Sequence, residues 1–180
     1  MNIESLRNAC CQGEKFEYIF FWGHHQKDIV TKTCLSQWYE CKFTVDGKIY
    51  HTAEQYMMAQ KAILFDDLEI LQMIMRADNP GKYKELGRKI RRFDRKIWDK
   101  HKYDIVVSGN TAKFSQNPEL LGFLLKTGNK ILVEASPYDR IWGIGMPENA
   151  PDIEDPFKWK GENLLGFALM DVREKLLRKK

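Results

Sequence analysis

The dipeptide Asp46-Gly47 lies between two apolar-rich stretches, and a helix-start signature begins only a few residues later, at Thr52. This junction constrains the fold more than any other part of the chain. Asp-Gly accepts the positive φ angles of a type I′ turn, so Trp38 to Val45 and Lys48 to His51 read as the arms of a hairpin. Thr52 with Gln55 three residues later reads as a capping box, with Thr52 as the N-cap of a helix running through Lys61. On that helix Glu54 and Lys61 are seven residues apart. Two turns of helix place them on one side, about 10 Å apart along the axis. A chain of this kind must set a short antiparallel pair beside a helix bearing an acid and an amine.

The remaining segments are mostly helical. Leu68, Ile70, Leu71, Ile74 and Met75 recur at helical spacing from Asp67 to Ala77, and Asp78-Asn79-Pro80-Gly81 ends the run. Further helices are predicted over 81–89 and 94–114, the latter burying Ile97 or Trp98, Ile105, Val106 and Phe114. Asn117-Pro118 starts another helix, which ends at Thr127-Gly128-Asn129, and Gly161 to Lys180 forms a closing amphipathic helix. Glu17 to Trp22 and Lys130 to Ala135 read as strands. Residues 136–160 form a loop too long to be a plain connection, and its aromatic side chains point to a ligand-facing role. With 180 residues, the simplest organisation is a helical or frayed lead-in over 1–15 followed by one domain over 16–180. The expected fold class is α+β, a predominantly helical single domain with a small antiparallel sheet.

Composition narrows the function classes. A net charge of +4 permits a phosphate-bearing ligand without requiring nucleic acid. No apolar run approaches membrane-spanning length and Met1 to Gly13 lacks an apolar signal core, so a cytoplasmic protein with no membrane partner is expected. Cys10, Cys11, Cys34 and Cys41 form no CxxC pair and read as reduced thiols. His24-His25, taken as strand residues, would point to opposite faces, so no metal site is expected.

Each candidate for chemistry also has a bland reading. Glu54 is a catalytic carboxylate or simply a partner of the helix dipole. Lys61 is a nucleophile if desolvated and otherwise a solvated lysine. Arg88, Arg91 and Arg92 would clamp a phosphate or merely solvate a helix end. Trp98 stacks on a base or packs in the core, and Glu134 faces a pocket or ends a strand. Asp139-Arg140-Ile141-Trp142-Gly143-Ile144-Gly145 packs an acid, an indole and two glycines into seven residues, and glycines let backbone approach a ligand closely.

As a set, several segments resemble the YbiA-like, or NADAR, family. They are Tyr50-His51-Thr52-Ala53-Glu54-Gln55-Tyr56 with Ala59-Gln60-Lys61, then Gly87-Arg88, Trp98 and Leu124-Leu125-Lys126-Thr127-Gly128. The match continues through Leu132 to Gly145 and Gly161-Glu162-Asn163-Leu164-Leu165-Gly166, covering about residues 17 to 176 in order. Where the family commonly shows a Phe-Leu-Ser-Asn-Phe-like segment, Phe20-Phe21-Trp22-Gly23-His24-His25 is taken to stand in its place.

The resemblance implies N-glycosidase chemistry on a ribosyl group. The substrate would be a phosphoribosylated pyrimidine intermediate of riboflavin synthesis, or ADP-ribose attached to guanine, including ADP-ribosylated nucleic acid. It implies catalytic roles for Glu54, Lys61 and Asp139. Trp98, Trp142, Arg88, Arg140, Glu134, Gly143 and Gly145 would bind substrate, with no cofactor and no metal. A non-catalytic nucleotide or ADP-ribose binding module is the alternative, and a nucleic-acid binder working through 88–92 is a third class.

Overall fold

A computed structural model describes residues 1–178, so Lys179 and Lys180 of the expected closing helix lie outside the described residues. The described residues contain seven α-helices and four short strands, which makes the chain mostly helical with small sheets. No helix among them is long and apolar enough to cross a membrane. The chain divides into two compact units, Gln37–Pro118 and Met1–Ser36 with Glu119–Lys180.

The Gln37–Pro118 unit is built on the hairpin and the helix after it. Strands β2 (Phe43–Val45) and β3 (Lys48–Tyr50) pair antiparallel, with Val45 opposite Lys48. Asp46 and Gly47 take φ of 49° and 73°, the left-handed values the turn requires. The first arm is shorter than the sequence suggests. Cys41 still donates to the His51 carbonyl at 2.9 Å, but the Gln37 carbonyl accepts the Glu54 N–H at 2.9 Å. Residues 37–42 therefore lead to the start of the next helix instead of extending the ladder.

That helix, α2 (Ala53–Leu64), is capped by Thr52, whose hydroxyl accepts the Gln55 N–H at 3.0 Å. The reciprocal half of the expected box is shifted by one residue. The Gln55 side-chain oxygen accepts from the His51 N–H at 2.8 Å, and its amide donates to the Ile74 carbonyl. Every residue from Ala53 to Ala59 is buried, because α3 (Leu68–Arg76), α4 (Pro80–Gly87) and α5 (Arg95–Gln116) all pack on α2. Glycines permit the close approach. A Cβ on Gly87 would sit 2.0 Å from Met58 Sδ, and one on Gly109 would sit 2.4 Å from the Tyr56 ring.

Asp67, Asn79 and Asp94 cap α3, α4 and α5, each accepting an N–H from the first helical turn. The apolar side of α5 starts later than expected. Ile97 is exposed and Trp98 half-buried, and deep burial begins at Val106 and continues through Gly109, Asn110, Lys113 and Phe114.

In the other unit, α1 (Ile3–Cys11) takes the helical option for the lead-in, with an Asn2–Ser5 capping box and buried Leu6. Strands β1 (Tyr18–Phe21) and β4 (Ile131–Glu134) pair parallel, with Tyr18 opposite Ile131 and Phe21 opposite Glu134. The unit is completed by α6 (Pro118–Lys126), and by α7 (Leu164–Leu177), which packs on β4. A Cβ on Gly166 would lie 2.0 Å from the Leu132 carbonyl oxygen, so α7 runs directly over the strand backbone. Asn163, buried and left-handed at φ 55°, lies along the edge of β4 away from β1. Its side chain donates to the Leu132 carbonyl at 2.9 Å and accepts the Glu134 N–H at 3.0 Å.

Candidate functional site

Glu54 lies in the first turn of α2 and is only 4 % exposed. The partial positive charge of a helix N-terminus suits a carboxylate there. Lys61 lies two turns further along the same helix, where the structure corrects the solvated reading. It is half-buried, and its Nζ donates to the Gly87 carbonyl at 2.8 Å. The same Nζ lies 4.3 Å from the centre of the Phe93 ring and 5.5 Å from that of Trp98. Burial holds the Lys61 amine below the ordinary lysine range; Glu54 pulls it back up and Arg88 pushes it further down. An amine shifted in this direction is neutral more often at physiological pH, as a nucleophile or a proton acceptor must be.

The basic run after α4 does not act as one clamp. Arg91 is committed to Asp67: its backbone N–H, Nε and terminal nitrogen bond the carboxylate at 2.9, 3.0 and 2.6 Å. Those bonds hold the Asp67 carboxyl well below the usual carboxylate range. Arg92 is a left-handed turn residue at φ 56°, and exposed Arg88 forms the C-cap of α4. Trp98, read in the sequence either as core or as a base shelf, is half-buried and flanks the Lys61 amine from the start of α5.

In the other unit the long loop is ordered by its own polar groups. Asp139 Oδ1 accepts the N–H groups of Ile141 and Trp142 at 2.9 and 2.8 Å, and Ser136 Oγ accepts that of Asp139 at 3.2 Å. The carboxylate thus caps a turn. Gly143 is buried against protein backbone, since a Cβ there would come within 2.8 Å of the Glu134 carbonyl. Gly145 is left-handed at φ 66°, with the aliphatic part of exposed Arg140 over it. Trp142 is half-buried, as is Glu134 at the end of β4. Further ties, from Ile144 N–H to the Glu134 carbonyl and from Asn163 N–H to the Gly143 carbonyl, close the loop onto the strand.

His24 and His25 fall after β1 rather than within it, so the strand argument for opposite faces does not apply. Their rings stack with centres 5.1 Å apart, and burial together with His25 lowers the His24 pKa. Among the described residues, no group of three His, Cys, Asp or Glu side chains is arranged to hold a metal.

One segment was missed in the sequence. Leu35-Ser36-Gln37-Trp38 follows the Leu-Ser-amide-aromatic order of the family's Phe-Leu-Ser-Asn-Phe-like segment more closely than Phe20 to His25 does. Its Gln37 is buried, with the backbone carbonyl on the Glu54 N–H and the side-chain oxygen accepting from Asn110 at 2.7 Å. The order of residue types would have identified it.

Comparison with known proteins points the same way. The NADAR domain matches residues 20–177. An N-glycosidase of Acanthamoeba polyphaga mimivirus is 48% identical over 167 residues, covering 89% of this chain and 97% of the viral protein. N-glycosidase YbiA of Escherichia coli is 36% identical over 132 residues, covering 73% of this chain and 74% of YbiA. The NMR structure of E. coli YbiA superposes with a TM-score of 0.73 at 30% identity, covering 92% of this chain and 88% of that one. A riboflavin biosynthesis protein of Vibrio vulnificus is 32% identical over 142 residues; these are 79% of this chain but only 35% of that protein.

Proposed function

The chain belongs to the NADAR family, and from that premise we propose that it hydrolyses a ribosyl C1′–N bond in a nucleotide-derived substrate. The observation that carries the reading is the α2 face: a buried Glu54 carboxylate and, two turns on, a half-buried Lys61 amine bordered by Phe93 and Trp98. Relatives named N-glycosidases, matching across most of this chain, support it.

The residue types suit the chemistry. Breaking the C1′–N bond leaves positive charge on the sugar and negative charge on the departing base. The Glu54 carboxylate stabilises the oxocarbenium-like sugar, and a proton donor helps the base leave. Asp139 is the second carboxyl we assign to that proton, and Trp98 and Trp142 are the rings we assign to the base. Arg88 and Arg140 bind phosphate; Glu134, Gly143 and Gly145 complete the proposed substrate contacts. In a second route the neutral Lys61 amine attacks C1′. The C1′–N bond to the base breaks, the base takes a proton, and the sugar opens to a Schiff base on Nζ. Water then adds to C1′ and releases the sugar, returning the amine.

Two substrate classes fit, a phosphoribosylated pyrimidine intermediate of riboflavin synthesis and ADP-ribose attached to guanine, free or in nucleic acid. The riboflavin-related name of the Vibrio relative supports the first, although this chain spans about a third of that protein. A panel of both classes, scored for free base and ribose-phosphate product, tests the proposal. Wild type is expected to release base, and a Glu54→Gln variant to bind substrate without turning it over. If wild type releases base from no member of the panel yet binds it, the chain is a binding module. Borohydride added during turnover traps Lys61 if the Schiff-base route operates. No adduct, together with full activity in Lys61→Arg, removes that route.

A further inference from the structure

Three groups hold the Lys61 amine, and one of them, Phe93, lies outside the segments that carry the family resemblance. Gly87 and Trp98 belong to those segments. Phe93 is 45% exposed, unusual for a large apolar side chain, yet its ring is fixed. Phe65, a buried residue, meets it edge-on, with ring centres 5.3 Å apart and planes at 61°. The backbone leading to it is fixed as well. Asp67 takes both the backbone N–H and the guanidinium of Arg91, and Arg92 then turns the chain through a left-handed conformation. Asp94 next caps α5. Phe93 is therefore the residue between a pinned turn and a capped helix, and its face lies 4.3 Å from Lys61 Nζ.

The Gly87 carbonyl is the other half of the arrangement. Gly87 leaves no room for a side chain because Met58 Sδ occupies the Cβ position, so α4 lies close enough on α2 for this carbonyl to reach Lys61 Nζ at 2.8 Å. A lysine carries four flexible side-chain bonds and loses considerable rotamer freedom when held. A carbonyl on one side and an aromatic face on another confine that stem to one direction before substrate arrives.

We propose that Phe93 is a positioning residue for the glycosidase reaction, its ring holding the Lys61 amine against the Gly87 carbonyl in the geometry needed at the sugar carbon. The proposal rests on the catalytic reading of Lys61. The charged groups that act on the amine are Glu54 from its own helix and Arg88 from the end of α4. Phe93 adds a neutral π face, which favours the ammonium form.

The variants Phe93→Leu and Phe93→Tyr separate this role from simple packing. Leucine keeps the amine covered but removes the π face; tyrosine keeps the face. In Phe93→Leu, kcat is expected to fall about tenfold with KM little changed, as misorientation of a reacting group produces. The Lys61 amine, followed by NMR after reductive methylation with labelled formaldehyde, is expected to titrate about half a pH unit lower than in wild type. Phe93→Tyr should restore both values. Thermal unfolding of the two variants confirms that each is folded. The proposal is overturned if Phe93→Leu leaves both kcat and the amine titration at wild-type values. It is also overturned if the titration moves while kcat does not. The catalytic reading of Lys61 fails separately, if Lys61→Met retains full kcat.

Discussion

The α2 face, with Trp98 of α5 beside it, and the 139–145 loop bring together the same kinds of residue, an acid, a cation and an indole beside small residues, but they use them in opposite ways. On α2 the backbone is satisfied by the helix ladder, by the Thr52 hydroxyl on the Gln55 N–H and by the Gln37 carbonyl on the Glu54 N–H, so the cap does not fall to the Glu54 or Lys61 side chain. Lys61 is then left to a single carbonyl and two aromatic rings. In the loop there is no helical ladder, and the side chains supply the order. Asp139 caps the turn and Gly143 makes room for the Glu134 carbonyl. On α2 the cap is supplied by Thr52, a residue outside the acid–amine pair, whereas in the loop the acid itself is the cap.

Substitutions can break or sharpen that contrast. The largest effect belongs to Glu54→Gln, expected to lower base release on the order of 10³-fold in a single-turnover assay while leaving the melting temperature nearly unchanged. Loss of folding instead of loss of turnover would place Glu54 with Asp139 as a structural acid. Next comes Gly143→Ala. Its Cβ meets backbone rather than a flexible side chain, so stability should fall by about 1–3 kcal/mol in urea unfolding. An unchanged midpoint would show that the loop is looser than its hydrogen bonds imply.

Asp139 is the sharper test, through two variants. Asp139→Asn keeps an oxygen acceptor for the Ile141 and Trp142 N–H groups, whereas Asp139→Ala removes it and should cost about 1 kcal/mol. If Asn folds normally but loses activity more than tenfold, the carboxylate does chemistry in addition to capping. If only Ala is impaired, the loop role is the whole role.

A further test is a pH dependence at Asp67. Its folded pKa is depressed by Arg91, so the stability it adds is present above the unfolded carboxylate pKa and is lost as pH falls through the folded one. The difference in unfolding free energy between wild type and Asp67→Asn should be flat near neutrality and shrink below about pH 4. A difference that instead grows in acid would contradict the Arg91 pairing and the pinned turn before Phe93.

Much of the hairpin and α2 was legible because their signals are local. Asp46-Gly47 and Thr52 each dictate backbone within a few residues, and a helical period carries Glu54 and Lys61 to one side. The capping box was read one residue out, since Gln55 reaches past Thr52 to His51. The strands β1 and β4 were recognisable as apolar runs, but their parallel pairing was not. More than a hundred residues separate them, and no turn dipeptide marks a crossover of that kind. The surroundings of Lys61 were hidden for the same reason. Gly87, Phe93 and Trp98 come from three later positions, and nothing in the 51–61 segment announces them. The Arg88 to Arg92 run looked like one basic feature and is three, because Asp67, far back at the start of α3, takes Arg91 out of it.

Asn163 has a consequence for how this protein behaves among other chains. A parallel pair leaves one side of each strand able to accept a stranger's backbone, the common starting point of strand-by-strand aggregation. Along β4 that invitation is narrowed. The Leu132 carbonyl and Glu134 N–H are taken by one asparagine side chain, and the Glu134 carbonyl by Ile144, so an incoming strand would find these three groups already paired.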